Sequence, residues 1–209
     1  MTISIKTIAI AAFAALALSS CAGSTSGTAD TGLDNPAIQN IMNRKSVRSY
    51  SDQQVTDEQM TTLLKAAMAA PSGMDVRPWS FVVLRDASKY EEIFSSSNFN
   101  LSRYQDASAV VVICADTTVT RQSVVMPNGT WRDDLGACTE NFLLAAESMG
   151  LGAVWTACYP YPDRMNPVKE ALGLPSTVVP YCVVPVGYAD GENQPKDKWD
   201  ETRVHYDRW

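Results

Sequence analysis

Four short apolar runs place the strongest constraint on the fold of this chain. They lie at residues 81–84, 109–115, 153–156 and 178–186 and are rich in β-branched side chains. Their apolar residues are mostly continuous rather than alternating, which is typical of strands that are covered on both faces. We therefore predict an α+β sandwich in which helices flank a central sheet.

Helical spacing of apolar residues predicts the covering layers. Pro36 suits the first turn of a helix that ends at Arg44, and Thr56–Gln59 is a capping box that starts a second helix. A long helix is predicted over residues 133–149 and is ended by Gly150. A shorter helix is predicted to follow Asn166-Pro167 and to stop at Gly173. No internal repeat or second domain boundary is visible.

The N-terminus has the pattern of a bacterial lipoprotein signal. Residues 1–20 combine one charge with an apolar run that is too short to span a bilayer, and Cys21 follows two serines. An ordinary cleaved signal or a buried helix is the alternative. We expect lipidated Cys21, a flexible tether over residues 21–33 and a folded domain over 34–209. The predicted location is the cell envelope, on the periplasmic or outer-membrane side.

Charge and composition exclude some classes of function. The chain has a net charge of −6, and removing residues 1–20 takes away only Lys6, which disfavours nucleic acid as a partner. A single histidine, His205, argues against a zinc site and against histidine-based nucleophilic catalysis, and we predict its segment to be a packed tail. Four cysteines are expected to be buried, although the compartment would permit disulfides: Cys114, Cys138, Cys158 and Cys182.

Residues 44–48 place three cations and a serine hydroxyl directly after the first predicted helix. A solvated basic helix end, favoured by the helix dipole, is one interpretation, and an anion-binding site is the other. Two further segments favour the anion site. Residues 71–79 form a rigid polar loop that leads into a strand, and residues 196–199 add two more lysines.

These three segments, in this order, resemble the FMN-dependent nitroreductase family, and the resemblance covers residues 35–209. It implies a three-layer α+β sandwich with a central mixed sheet, and an intertwined homodimer with flavin at both subunit interfaces. FMN would be the cofactor and NAD(P)H the co-substrate. Because a flavin carries the redox chemistry itself, no catalytic side chain and no metal is required.

The resemblance also implies the cofactor-binding residues. Arg44 and Ser46 would hold phosphate and ribityl, and Arg48 the pyrimidine edge. The loop at 71–79 would reach the partner's flavin, with Asp75 and Arg77 standing where the family usually has Asn and Gln. The full implied set is Arg44, Lys45, Ser46, Arg48, Ser72, Asp75, Arg77, Asn100, Arg103, Thr156, Ala157, Lys196 and Lys198.

The reaction that the resemblance implies is ping-pong. NAD(P)H reduces the flavin and leaves, and a nitroaromatic, quinone or similar acceptor then binds at the same face. Residues 117–131 fall where the family varies its pocket lid, with an inert surface loop as the alternative. Two other functions are compatible with the sequence: a related flavin dehalogenase, and a lipid-anchored binding or interaction protein without turnover.

Overall fold

The computed structural model describes residues 31–95, 99–100, 105–121, 124–125 and 130–209. Residues 33–209 form one compact unit. The helices and strands of the described residues are α1 (Pro36–Asn43), α2 (Asp57–Met68), β1 (Trp79–Leu84), α3 (Ala87–Ser95), β2 (Ala109–Asp116), β3 (Thr120–Arg121), β4 (Val124–Val125), α4 (Trp131–Ser148), β5 (Gly152–Ala153), β6 (Thr156–Ala157), α5 (Pro162–Leu172) and β7 (Val178–Gly187). The predicted signal, Cys21, most of the tether, Arg103 and part of the predicted lid lie outside the described residues.

A five-stranded sheet forms the middle layer. Its strands follow the order β1, β2, β7 and β5, and β6 also pairs with β7. All pairs between these strands are antiparallel, and one parallel bridge joins Ser46 to Ala153. The central strand β2 is buried along almost its whole length. The continuous apolar run predicted this burial correctly.

Helices cover both faces of the sheet, as predicted. Alternate residues of β2 face opposite layers: Val111 and Ile113 pack into the core beneath α2 and α4. Val110 and Val112 pack into a second core that contains residues of α3 and α5. The α+β three-layer sandwich is thereby confirmed.

Helix α2 begins as the sequence predicts. The Thr56 hydroxyl accepts a hydrogen bond from the Gln59 amide, and the Gln59 side chain accepts one from the Thr56 amide. This capping box satisfies two backbone donors that would otherwise be unpaired at the helix start.

Two predicted boundaries were wrong. The run at 153–156 is not one strand, because β5 and β6 pair separately with β7 and leave Val154 and Trp155 between them. The gap lies opposite Pro185, which has no amide hydrogen to donate to a neighbouring strand. Helix α5 starts at Pro162 rather than after Asn166, and it contains Pro167. Pro167 costs the helix one backbone hydrogen bond. The helix still forms, because Pro162 suits its first turn and the burial of Val168 stabilises it.

The four core cysteines are free thiols, and all are buried. Burial raises the pKa of the Cys114, Cys138 and Cys158 thiols to about 12, and it also raises the pKa of Cys182. These side chains therefore remain protonated at neutral pH and pack as small apolar groups.

Within a single chain the C-terminal tail is not packed, contrary to the prediction. Tyr206 is 83% exposed and Trp209 is 99% exposed, although the ring of His205 lies 4.3 Å from that of Trp209. In the part of the chain that the structure describes, no helix combines the length and apolarity needed to cross a bilayer.

Candidate functional site

The end of α1 delivers the basic segment (residues 44–48) to the edge of the sheet. Arg44 caps the helix, and its backbone amide donates to the Asn40 carbonyl at 3.1 Å. The chain then becomes extended, and the Val47 amide donates to the Ala153 carbonyl at 3.1 Å. A Cβ at Gly152 would lie 2.6 Å from Val47, so only glycine permits this close approach.

The chain that follows β7 runs beside the same segment. Tyr50 forms an antiparallel bridge with Ala189, and the Asp190 amide donates to the Ser49 carbonyl at 3.0 Å. This pairing directs the C-terminal lysines toward the basic segment.

The two regions together form a cleft of about 240 Å³, which we call the basic cleft. Its lining residues are Arg44, Lys45, Ser46, Arg48, Gln194, Lys196 and Lys198. The structure thus brings together six of the residues that sequence analysis proposed for cofactor binding. Gln194 was missed, because nothing in its local sequence marks a neutral amide as part of a site.

Two glutamates of α4 hold two of the cations at the cleft. The Nε of Arg44 lies 3.0 Å from Glu140, and the Nζ of Lys45 lies 2.8 Å from Glu147. Among the described residues, Arg48, Lys196 and Lys198 have no ion-pair partner. The cleft therefore retains a positive charge on an otherwise acidic protein, which suits a dianionic phosphate. Sequence analysis missed both glutamates, although they lie seven residues apart on one face of a predicted helix.

A second group of predicted residues lies in the 72–77 loop. Met74, Asp75 and Arg77 adopt left-handed backbone conformations, with φ of 51°, 57° and 56°. The Ser72 hydroxyl accepts a hydrogen bond of 3.0 Å from the Arg77 amide. None of these residues lines the basic cleft of its own chain.

Asp75 and Arg77, which depart from the family pattern, pair with each other. The Arg77 Nε and Nη2 atoms donate to the two Asp75 carboxylate oxygens at 2.5 and 2.8 Å. This pairing raises the pKa of Arg77. Where the resemblance implies two neutral amides, this chain therefore has a bidentate ion pair. The remaining N–H donors of the Arg77 guanidinium point away from Asp75.

Strand β6 carries the third predicted group, Thr156 and Ala157. The Ala157 carbonyl accepts a hydrogen bond of 2.8 Å from Arg164, whose guanidinium lies 5.2 Å from the Phe99 ring centre. Asn100 follows Phe99 and is exposed. Sequence analysis missed Arg164, because its contact with Ala157 depends on how α5 folds back onto the sheet.

Apolar side chains on α1 remain uncovered in a single chain. Ile38, Ile41 and Met42 are 39%, 51% and 59% exposed, and α1 contains no buried residue. Trp199 in the C-terminal tail is 74% exposed. These helical and aromatic surfaces are available for contact with another molecule.

The basic cleft fits the phosphate end of a mononucleotide. Two lysines without carboxylate partners, a serine hydroxyl and an amide side chain supply suitable donors, and Arg48 adds a third unpaired cation to the lining. A volume of about 240 Å³ with an open mouth accommodates the phosphate and part of a sugar chain, and the residues lining it contain no aromatic side chain to cover a flavin ring. Enclosing the ring thus requires further groups.

Comparison with known proteins agrees with this geometry. A sequence profile of the nitroreductase family matches residues 41–188. A relative in Archaeoglobus fulgidus, which carries the provisional name NADH dehydrogenase/NAD(P)H nitroreductase, is 37% identical over 175 residues. That alignment covers 82% of this chain and 98% of the relative.

Solved structures show the same fold. A Bacteroides thetaiotaomicron protein with the same provisional name is 42% identical and has a TM-score of 0.77, covering 84% of this chain and 99% of that protein. The NADPH:FMN oxidoreductase of Vibrio harveyi, solved with NAD+, is 27% identical with a TM-score of 0.71. It matches 83% of this chain and 77% of its own.

Proposed function

The chain belongs to the nitroreductase family, and we propose that it is an FMN-dependent NAD(P)H oxidoreductase. It would work as a homodimer and pass reducing equivalents to nitroaromatic, quinone or similar acceptors by a ping-pong mechanism. The observation that carries the proposal is the basic cleft, in which Arg48, Lys196 and Lys198 face the same space without carboxylate partners. Relatives named as FMN reductases and NAD(P)H nitroreductases support it.

The cleft would hold FMN by its phosphate. Lys196 and Lys198 would neutralise its charge, while Arg44, held by Glu140, would present the rest of its guanidinium from a fixed position. The Ser46 hydroxyl is exposed beside these cations and can donate to a phosphate or ribityl oxygen. FAD should bind less well, because its pyrophosphate has no terminal group to fill the cleft.

The protein's remaining task is to orient the ring and to control its charge. Bound FMN supplies hydride acceptance and electron transfer. Arg48, which follows the anchored Val47, would hold negative charge on the ring as electrons arrive. The backbone of Thr156 and Ala157, fixed to β7 and to Arg164, would provide a rigid edge for the ring.

A second copy of the chain would complete the site. The exposed apolar residues of α1 and the exposed aromatic residues of the tail are the surfaces that such a partner would cover. The 72–77 loop projects Asp75 and Arg77 outside its own basic cleft, which is consistent with a role at the partner's flavin.

Anaerobic rapid mixing tests the proposed turnover. NADH or NADPH should bleach the bound flavin before any acceptor is added, and a quinone or nitroaromatic should then restore the colour. Bound flavin that neither nucleotide bleaches would contradict the oxidoreductase proposal and favour a binding protein without turnover. Restoration by halogenated aromatic substrates alone would favour a dehalogenase.

Replacing Arg48 with alanine is expected to lower the midpoint potential of bound FMN. Removing a positive charge near the pyrimidine edge should shift it by about 30 mV, which for a two-electron couple corresponds to about 1.4 kcal/mol. Spectroelectrochemistry measures the shift. Lys198→Ala is the matched control, because it removes a cation at the phosphate end and should weaken binding without moving the potential. An unchanged or higher midpoint in Arg48→Ala contradicts this role.

We also propose that lipidated Cys21 anchors the enzyme to a membrane of the cell envelope, on a membrane surface that faces away from the cytoplasm. The Cys21→Ser variant should lose acyl label and move to a soluble fraction, yet bind FMN as the wild type does, since a tether rich in Gly, Ser and Thr separates it from the domain. Fractionation with an acyl label tests this prediction. Unlabelled wild-type protein in the cytosol would refute the anchor, and loss of FMN from the variant would refute the tether.

A further inference from the structure

Asp134 is a buried acid with only one of its two oxygens in use. Its side chain lies in the first turn of α4, and the residue is 6% exposed. One oxygen, Oδ1, accepts a hydrogen bond of 2.8 Å from the Gly73 amide, 61 residues away along the chain. The other, Oδ2, is buried and has no hydrogen-bond partner.

The Gly73 amide belongs to a strained turn. It directly precedes two residues with left-handed backbones, Met74 and Asp75, and Arg77 adds a third. Such conformations are disfavoured for residues with a Cβ and persist only where surrounding contacts hold them. The contact with Asp134 ties this turn to α4, the long helix that packs on the sheet.

The second oxygen of Asp134 has room for one water molecule. A cavity of about 20 Å³ lies beside the carboxylate and is lined by Val76, Pro78, Trp131 and three residues at or just after the end of β2, namely Asp116, Thr117 and Val119. This volume exceeds what one water needs. A water there would supply the missing donor.

We propose that Asp134 is a positioning residue for the flavin site. It holds the 72–77 loop in its left-handed form and thereby sets where the paired Asp75 and Arg77 stand against the partner's FMN. This inference rests on the proposed function for its flavin part, but the anchoring of the turn is independent of FMN. Exposed Asp133, in the same helical turn, supplies a matched control.

Hydrogen exchange tests the anchor first, in the mature full-length protein without FMN. Asp134→Ala should speed amide exchange in a peptide covering residues 72–79 by roughly 10-fold, since the turn loses the hydrogen bond between the Gly73 amide and the carboxylate oxygen. Asp134→Asn keeps an oxygen for the Gly73 amide and should stay near the wild-type rate. Asp133→Ala should leave the rate unchanged. Equal exchange in Asp134→Ala and the wild type overturns the proposal.

FMN binding then tests the positioning role. Asp134→Ala should raise the Kd for FMN by roughly 10-fold and alter the visible circular dichroism of the bound flavin, whereas Asp134→Asn restores both. Faster exchange with unchanged binding and spectrum would make Asp134 purely structural and overturn the role. A wild type that binds no FMN would overturn the flavin role together with the proposed function, while the exchange data would still report the anchor.

Discussion

Ending the chain after Gly191 is expected to abolish both dimer assembly and FMN binding. The truncation removes Gln194, Lys196 and Lys198 from the basic cleft, together with the exposed Trp199 and the rest of the aromatic tail. Losing two charge-assisted contacts to the phosphate should alone weaken FMN binding roughly 100-fold or more. Sedimentation and equilibrium dialysis measure the two effects.

The truncated domain should remain folded, because the removed tail is largely exposed and contributes no residue to either core. Its thermal unfolding must therefore be recorded beside the binding data. A full-length Lys196→Ala/Lys198→Ala variant separates the two losses, since it should weaken FMN binding and keep the dimer. A truncated form that stays dimeric would contradict the role of the tail in assembly. A truncated monomer that still binds FMN would contradict both the need for a dimer in binding and the role of the cleft.

Replacing Arg44 with alanine is expected to weaken FMN binding about 10- to 100-fold. The Arg44 side chain is 19% exposed, and its ion pair with Glu140 fixes the direction of the guanidinium. Its removal takes one cation from the cleft and leaves the Glu140 carboxylate unpaired nearby, so that repulsion of the phosphate adds to the lost contact. Fluorescence titration with FMN measures the change.

Two variants serve as controls for Arg44. Lys89→Ala breaks the surface ion pair between Lys89 and Glu92, which takes no part in lining the cleft, and it should leave FMN affinity unchanged. Adding Glu140→Gln to Arg44→Ala should recover part of the affinity, because it removes the unpaired carboxylate. Wild-type affinity in Arg44→Ala would show that Arg44 does not contact the phosphate.

Much of the fold could be predicted because its strands are continuous apolar runs. Strands β2 and β7 were recognisable in this way to within their last residue, since both central strands are covered by helices. The division between β5 and β6 was not, because it depends on Pro185 in the neighbouring strand. The apolar spacing of α1 predicted a helix correctly, yet the chain itself does not cover its apolar side.

The site was predictable where charge is concentrated in sequence. The two basic segments stood out individually, and the pairing of residues 49–51 with 188–190 explains why they meet. Contacts between elements that lie far apart in the sequence could not be predicted from it. Glu140 beside Arg44, Arg164 beside Ala157 and Asp134 beside Gly73 join residues that only the folded chain brings together.

Titration of the flavin-free mature protein with FMN tests the central claim most directly. Isothermal calorimetry, combined with sedimentation of the saturated sample, should give one tightly bound FMN per chain in a yellow dimer. FAD measured in the same way should bind more weakly, because the basic cleft is suited to a terminal phosphate. A protein that stays colourless and takes up no FMN would contradict the flavin function and leave the basic cleft without its proposed ligand.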